Sequence, residues 1–123
     1  MKIKNYKDFS CFLEYVQDPD FRGAIVSDNV YHFRSNVGLF KSAVNFFKES
    51  GLEVKEHSIP LKIEFPSGAT IRLLRVENTR GMLLDAALVL NTDTLTYEDT
   101  LQVKSRIKTP CSSDGSLWFL ESY

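Results

Sequence analysis

Cysteine is scarce: the 123 residues hold two, Cys11 and Cys111, near opposite ends of the chain. Neither belongs to a CxxC pair and neither has a histidine at zinc-ligand spacing, which excludes a local zinc motif. Each is expected as a free thiol, the residue type most often found buried. A disulfide in an exporting cell is the alternative. Histidine is equally rare. His32 and His57 have no carboxylate or cysteine at a useful spacing, so each is expected as a surface or hydrogen-bonded residue, with no metal and no cofactor.

An excess of charge of one sign is also missing. Fifteen basic residues face sixteen acidic ones, for a net charge of −1, which gives no bulk reason to expect nucleic acid or a membrane surface as partner. A local basic patch stays open. No apolar run approaches the ~20 residues that span a bilayer. The basic start Met1–Lys7 is followed by no apolar stretch, so it does not read as a signal peptide. The expected setting is cytoplasmic, aqueous and reducing. No repeat, low-complexity tract or Pro/Gly/Ser linker divides the chain, so residues 1–123 are expected to form a single domain.

The patterns present are those of an α/β protein. Asn5, with Asp8 three positions on, is placed to cap a helix with Tyr6, Phe9, Phe12, Leu13 and Val16 on one face, ended by Asp18-Pro19-Asp20. Arg22–Ser27 and Asp85–Leu90 are short continuous apolar runs, the mark of buried strands. Between them the spacing of Val37, Phe40, Val44 and Phe47, widened by Leu39, Ala43 and Phe46, predicts a heavily buried helix from Ser35 or Asn36 to Ser50, with Gly51 at its C-cap. The period then drops to two. Leu61, Ile63 and Phe65, then Ile71 and Leu73, flank Pro66-Ser67-Gly68 and predict a β-hairpin, preceded by a strand over Glu53–His57. Thr96-Tyr97-Glu98-Asp99 is a capping box opening a short helix. Strands are expected at Ser105–Thr109, stopped by Pro110, and at Leu117–Leu120. This alternation predicts a three-layer α/β sheet, mostly parallel at its centre.

No complete catalytic constellation accompanies the fold. Ser67-Gly68 and Ser113-Asp114-Gly115 are turn sequences without the Gly-x-Ser-x-Gly of a nucleophile elbow. Glu98 and Asp99 sit in the first turn of a helix, where its dipole favours negative charge. An unrecognised enzyme would need a pocket joining His32 or His57 to Asp85 or Asp93, and nothing in the sequence demands it.

Three stretches in order carry a resemblance. Ser58–Leu74 looks like the strand, glycine turn and strand that precede the acidic motif in the ATPase domain of phage large terminases. Arg80-Gly81 with Asp85–Leu90 resembles that family's arginine-glycine loop and Walker B strand. Ile107–Phe119 is similar to its Ser/Thr-Pro coupling motif, glycine turn and aromatic strand. The resemblance implies part of a RecA-like P-loop ATPase core, truncated and degenerate. That chemistry needs a Gly-rich loop ending Gly-Lys-Ser/Thr to hold phosphates, and no such run occurs in the sequence. The resemblance puts the first strand and loop before Met1. It also calls for two acids after Leu90, where Asn91 and Thr92 stand; Asp93 comes two positions late.

The expected function is therefore not enzymatic. It is that of a binding or regulatory protein of phage or mobile-element origin, related to DNA-packaging motors and acting through protein contacts. By the resemblance, Arg80 is a residue to donate to a neighbour's nucleotide; its plainer reading is a solvated basic edge. Arg72, Arg75 and Arg80 also group with Lys104, Arg106 and Lys108 as a patch for phosphates or an acidic protein, which makes a nucleic-acid-binding module the second reading. In the full fold the missing strand is expected between the Ala24–Ser27 and Leu88–Leu90 runs. The open apolar edge is therefore expected to recruit a strand from a homodimer or protein partner, with direct pairing of the two runs as the alternative.

Overall fold

A computed structural model describes residues 2–3, 9–28, 33–58, 61–90, 95–107 and 117–120. Seven strands form one sheet: β1 (Lys2–Ile3), β2 (Arg22–Ser27), β3 (Lys55–Ser58), β4 (Leu61–Glu64), β5 (Thr70–Arg75), β6 (Ala86–Val89) and β7 (Leu117–Leu120). Their order is β1-β7-β6-β2-β5-β4-β3. Every pairing from β1 to β5 is parallel, and β5, β4 and β3 continue antiparallel.

The apolar runs read as buried strands, β2 and β6, are direct neighbours, with Gly23 opposite Ala86 through to Val26 opposite Val89. No gap for a missing strand lies between them; direct pairing is realised, which corrects the expectation of an open edge here that recruits a strand from a second chain. Alternation along β2 splits the core in two. Ile25 faces α1 (Phe33–Glu49), whose Phe40, Ala43, Val44 and Phe47 pack with Ile63, Ile71 and Leu88. Ala24 and Val26 face the other way, with Ala87, Val89, Val76 and Val103 of α2 (Tyr97–Lys104). A sheet buried on both faces explains why these strands are apolar without a break.

The expected α1 and hairpin are present. The chain leaves α1 through Gly51 at φ 89, and the hairpin turns through Gly68 at φ 104, both in the left-handed region glycine enters without penalty. Ser67 Oγ donates to the Val16 carbonyl at 2.7 Å, fastening the turn to the N-terminal segment. The capping box of α2 is complete: Thr96 Oγ1 accepts from the Asp99 amide at 3.1 Å, and Asp99 Oδ2 from the Thr96 amide at 3.3 Å.

Two expectations are corrected. The expected N-terminal helix gives way, among its described residues, to two 3-10 turns, Ser10–Phe12 and Tyr15–Gln17; Asn5 and Tyr6 lie outside the described residues. Phe9, Phe12 and Val16 are buried as expected. Steps of three and four residues suit a chain of tight turns as well as a continuous helix, so the spacing did not separate the two. The strand expected at Ser105–Thr109 reduces, among its described residues, to one bridge, Ile107 to Leu84, because Ser105 and Arg106 finish the last turn of α2.

Candidate functional site

The helices that follow β2 and β6 lie on opposite faces of the sheet, α1 against Ile25 and Leu88, α2 against Val26 and Val89. Adjacent parallel strands whose connections part in this way open a crevice at their carboxyl ends, the position where open α/β sheets take ligands. The chain brings Ser27, Asp28 and Leu90 to this edge. Ser27 and Asp28 are buried, as is Asn36 from the first turns of α1. Asn36 Nδ2 donates to Ser27 Oγ at 2.7 Å, and Ser27 Oγ lies 3.4 Å from Asp28 Oδ1, where it donates. This polar trio was not among the residues singled out from sequence. Its one signal is a Ser-Asp pair ending an apolar strand ahead of a helix. Beyond Leu90, Asn91 and Thr92 lie outside the described residues, as do Asp93, His32, Lys108, Cys111 and Ser113–Gly115.

Arg75 ends β5 opposite Ser27, on the flank of the crevice, with Nη1 3.6 Å from Glu77 Oε1. Arg72 stands three residues earlier, half-buried, between Ala24 of β2 and Lys62 of β4. Arg80 is exposed in the turn after the 3-10 helix Val76–Thr79. Lys104 closes α2, and the Arg106 carbonyl accepts from the Leu84 amide at 2.8 Å, ahead of β6 at the amino ends of the strands. At roughly 3.3 Å per residue, a strand's length separates Arg106 from Arg75. Arg75 and Arg106, read as members of one patch, therefore belong to opposite edges.

Another grouping of basic residue types does form. His57, Lys62 and Arg72 stand directly opposite one another across β3, β4 and β5. Glu64 is the acid beside them, its Oε1 3.7 Å from His57 Nε2. Asp85, considered as a partner for histidine, instead accepts the Arg22 amide through Oδ2 at 2.8 Å and ties the starts of β2 and β6 together. Cys11 is half-buried. No three metal-ligating side chains converge among the described residues, and no described helix is long and apolar enough to cross a membrane.

Strand order, helix placement and crevice define a three-layer α/β protein built like part of a RecA-like P-loop ATPase core. Among solved structures, the chain is similar to the large terminase of a thermophilic bacteriophage, with a TM-score of 0.61, 21% identity, and coverage of 93% of this chain and 29% of that one. A second crystal form of that terminase gives 0.58 at 19% identity over 89% of this chain and 29% of that one. Its complex with ATP-gamma-S gives 0.52 at 23% identity over 81% of this chain and 24% of that one. The likeness is one of fold, and the chain spans less than a third of the terminase it matches. No family model and no curated protein matches the sequence.

Proposed function

We propose that this domain binds and does not hydrolyse: a terminase-like fold of phage or mobile-element origin that acts through protein contacts. The observation that carries this reading is the end of β6. Leu90 brings the chain to the switch-point crevice, and the next two residues are the amide Asn91 and the hydroxyl Thr92. In-line attack on a γ-phosphoryl group needs a carboxylate to hold Mg²⁺ through water and a group to orient the attacking water. An amide and a threonine hydroxyl are both neutral, so neither supplies the carboxylate that this role takes. Asp28, across the crevice, is a buried carboxylate next to the Ser27 hydroxyl, with a local structural partner.

The test is ATP turnover by the purified chain with Mg²⁺, beside titration with a fluorescent ATP analogue. No turnover above buffer is expected. Measurable hydrolysis that disappears in Asp28→Asn would sink the reading and move the chemistry to that carboxylate.

The row His57, Lys62 and Arg72 favours a second reading, a nucleic-acid-binding surface on the hairpin. Like charges directly opposite on a sheet weaken it, so Lys62 beside Arg72 costs the fold something that an anion across both would return. Its signature is retention of DNA or RNA that falls steeply with salt and is lost in Lys62→Glu/Arg72→Glu. Absence of retention at low salt removes it.

A further inference from the structure

Among the described residues three large apolar side chains are exposed, Leu83 at 67%, Tyr97 at 77% and Leu101 at 44%. They do not lie at random. Tyr97 opens α2 and Leu101 sits one turn further on. Leu83 is next to Leu84, whose amide is bonded to the Arg106 carbonyl just past the C-terminal end of α2. The exposed residues of α2 and its C-cap are Tyr97, Glu98, Leu101, Lys104 and Ser105; they form one outward stripe at helical spacing, while Val103 points to the core.

The stripe is self-complementary in one direction. Leu101 is its midpoint, Glu98 lies three residues before it and Lys104 three after. Among the described residues neither Glu98 nor Lys104 has an ion-pair partner. Two copies of α2 laid antiparallel about a two-fold axis at Leu101 put Leu101 on Leu101, Glu98 beside Lys104 of the second copy, and Tyr97 over the second copy's C-terminal turn, the end that holds Leu83. A parallel arrangement would oppose Glu98 to Glu98 and Lys104 to Lys104. We infer that the outer face of α2 is an isologous docking surface whose occupant is the α2 of a second copy.

Two turns of helix bury less than the ~800 Å² per partner of a standard interface, so this is a weak, reversible dimer populated in the high-micromolar range. It extends the reading of the domain as a binding protein by naming a surface, and it moves self-association from a strand edge to a helix. Its failure would leave the ATP result untouched, which keeps the two separable.

The test is sedimentation equilibrium of the full chain from micromolar to millimolar concentration. A monomer–dimer equilibrium is expected, lost in Leu101→Asp. Glu98→Lys and Lys104→Glu each turn two symmetry-related attractions into repulsions and are expected to weaken it by on the order of tenfold. The double exchange Glu98→Lys/Lys104→Glu restores the pairs and returns the association toward the starting value, a rescue that a merely structural role for either residue would not give. All five positions of the stripe are exposed, so folding is expected to survive, with circular dichroism as the control. Should Leu101→Asp unfold the chain, the charge exchange still decides. A strict monomer at millimolar concentration overturns the inference. So does a dimer indifferent to Leu101→Asp, or one that the double exchange fails to restore.

Discussion

Gly23 sits in β2 under the aromatic lid of the N-terminal segment, where a Cβ would lie 2.7 Å from Cε2 and Cζ of Phe21 and 3.4 Å from Cε1 of Phe12. Phe21 has little room to retreat: it is buried, with ring centroids 5.3 Å from Tyr15 and 6.4 Å from Phe12. Gly23→Val is expected to cost about 1–3 kcal/mol through overpacking, read as a lower urea midpoint at unchanged slope. Arg80 is the contrasting case. It is exposed, so Arg80→Ala should stay within about 0.5 kcal/mol of the parent in the same assay. A larger loss would mean the arginine has a structural role that its exposure gives no sign of. At this scale the sequence was informative about burial, since Phe9, Phe12, Phe40 and Phe47 are buried as their spacing implied. It was silent about Asn36. That residue reads as one of two possible starts of the helix, yet α1 starts earlier, at Phe33, and the amide is buried against Ser27. A polar side chain's partner on another element leaves no periodic trace.

Among the elements, those with a chemical start or stop signal were the most legible. Pro66-Ser67-Gly68 and the Thr96 capping box appear where their residue types place them, because a left-handed glycine and a reciprocal side-chain cap are local requirements. Thr96→Ala removes the acceptor for the Asp99 amide and is expected to cost about 1 kcal/mol. The loss should appear as lower stability in chemical denaturation. Thr96→Asp, which keeps an acceptor at the cap, should recover most of it; equal losses for both would show that the cap contributes nothing. The segments without such signals went differently. Phe9–Gln17 has apolar residues at steps of three and four and folds as 3-10 turns. Ser105–Ile107 has a short alternation and completes α2 before a single bridge. In both, tertiary contacts decide: the rings of Phe12 and Tyr15 close on Trp118 of β7 at 5.1 and 5.7 Å, and Ile107 joins the cluster under α2.

At the scale of the whole molecule, continuous apolar strands reveal that they are buried but not beside which neighbour. The reading from residues therefore had the class of fold and the parallel centre, but favoured a borrowed strand between β2 and β6, which in fact meet directly. What joins them is the pair of connections: α1 carries the chain from β2 to the far side of β5 over one face, and the turn Val76–Thr79 returns it over the other to β6. The paired centre makes a prediction for native-state hydrogen exchange. Amides of Ala24, Ile25 and Val26 lie in a strand with neighbours on both sides and side chains buried on both faces, so they should exchange only through global unfolding. Amides of Lys55–Ser58 belong to β3 at the end of the sheet order, half-exposed or exposed throughout, and should exchange through local opening at a smaller free energy. At concentrations below those at which α2 associates, neither set should depend on protein concentration. If a strand borrowed from another chain lay between β2 and β6, protection of Val26 and Val89 would rise with concentration and collapse on dilution. Protection of Ala24–Val26 that persists unchanged on dilution would assign the centre of the sheet to a single chain and leave α2 as the surface for self-association.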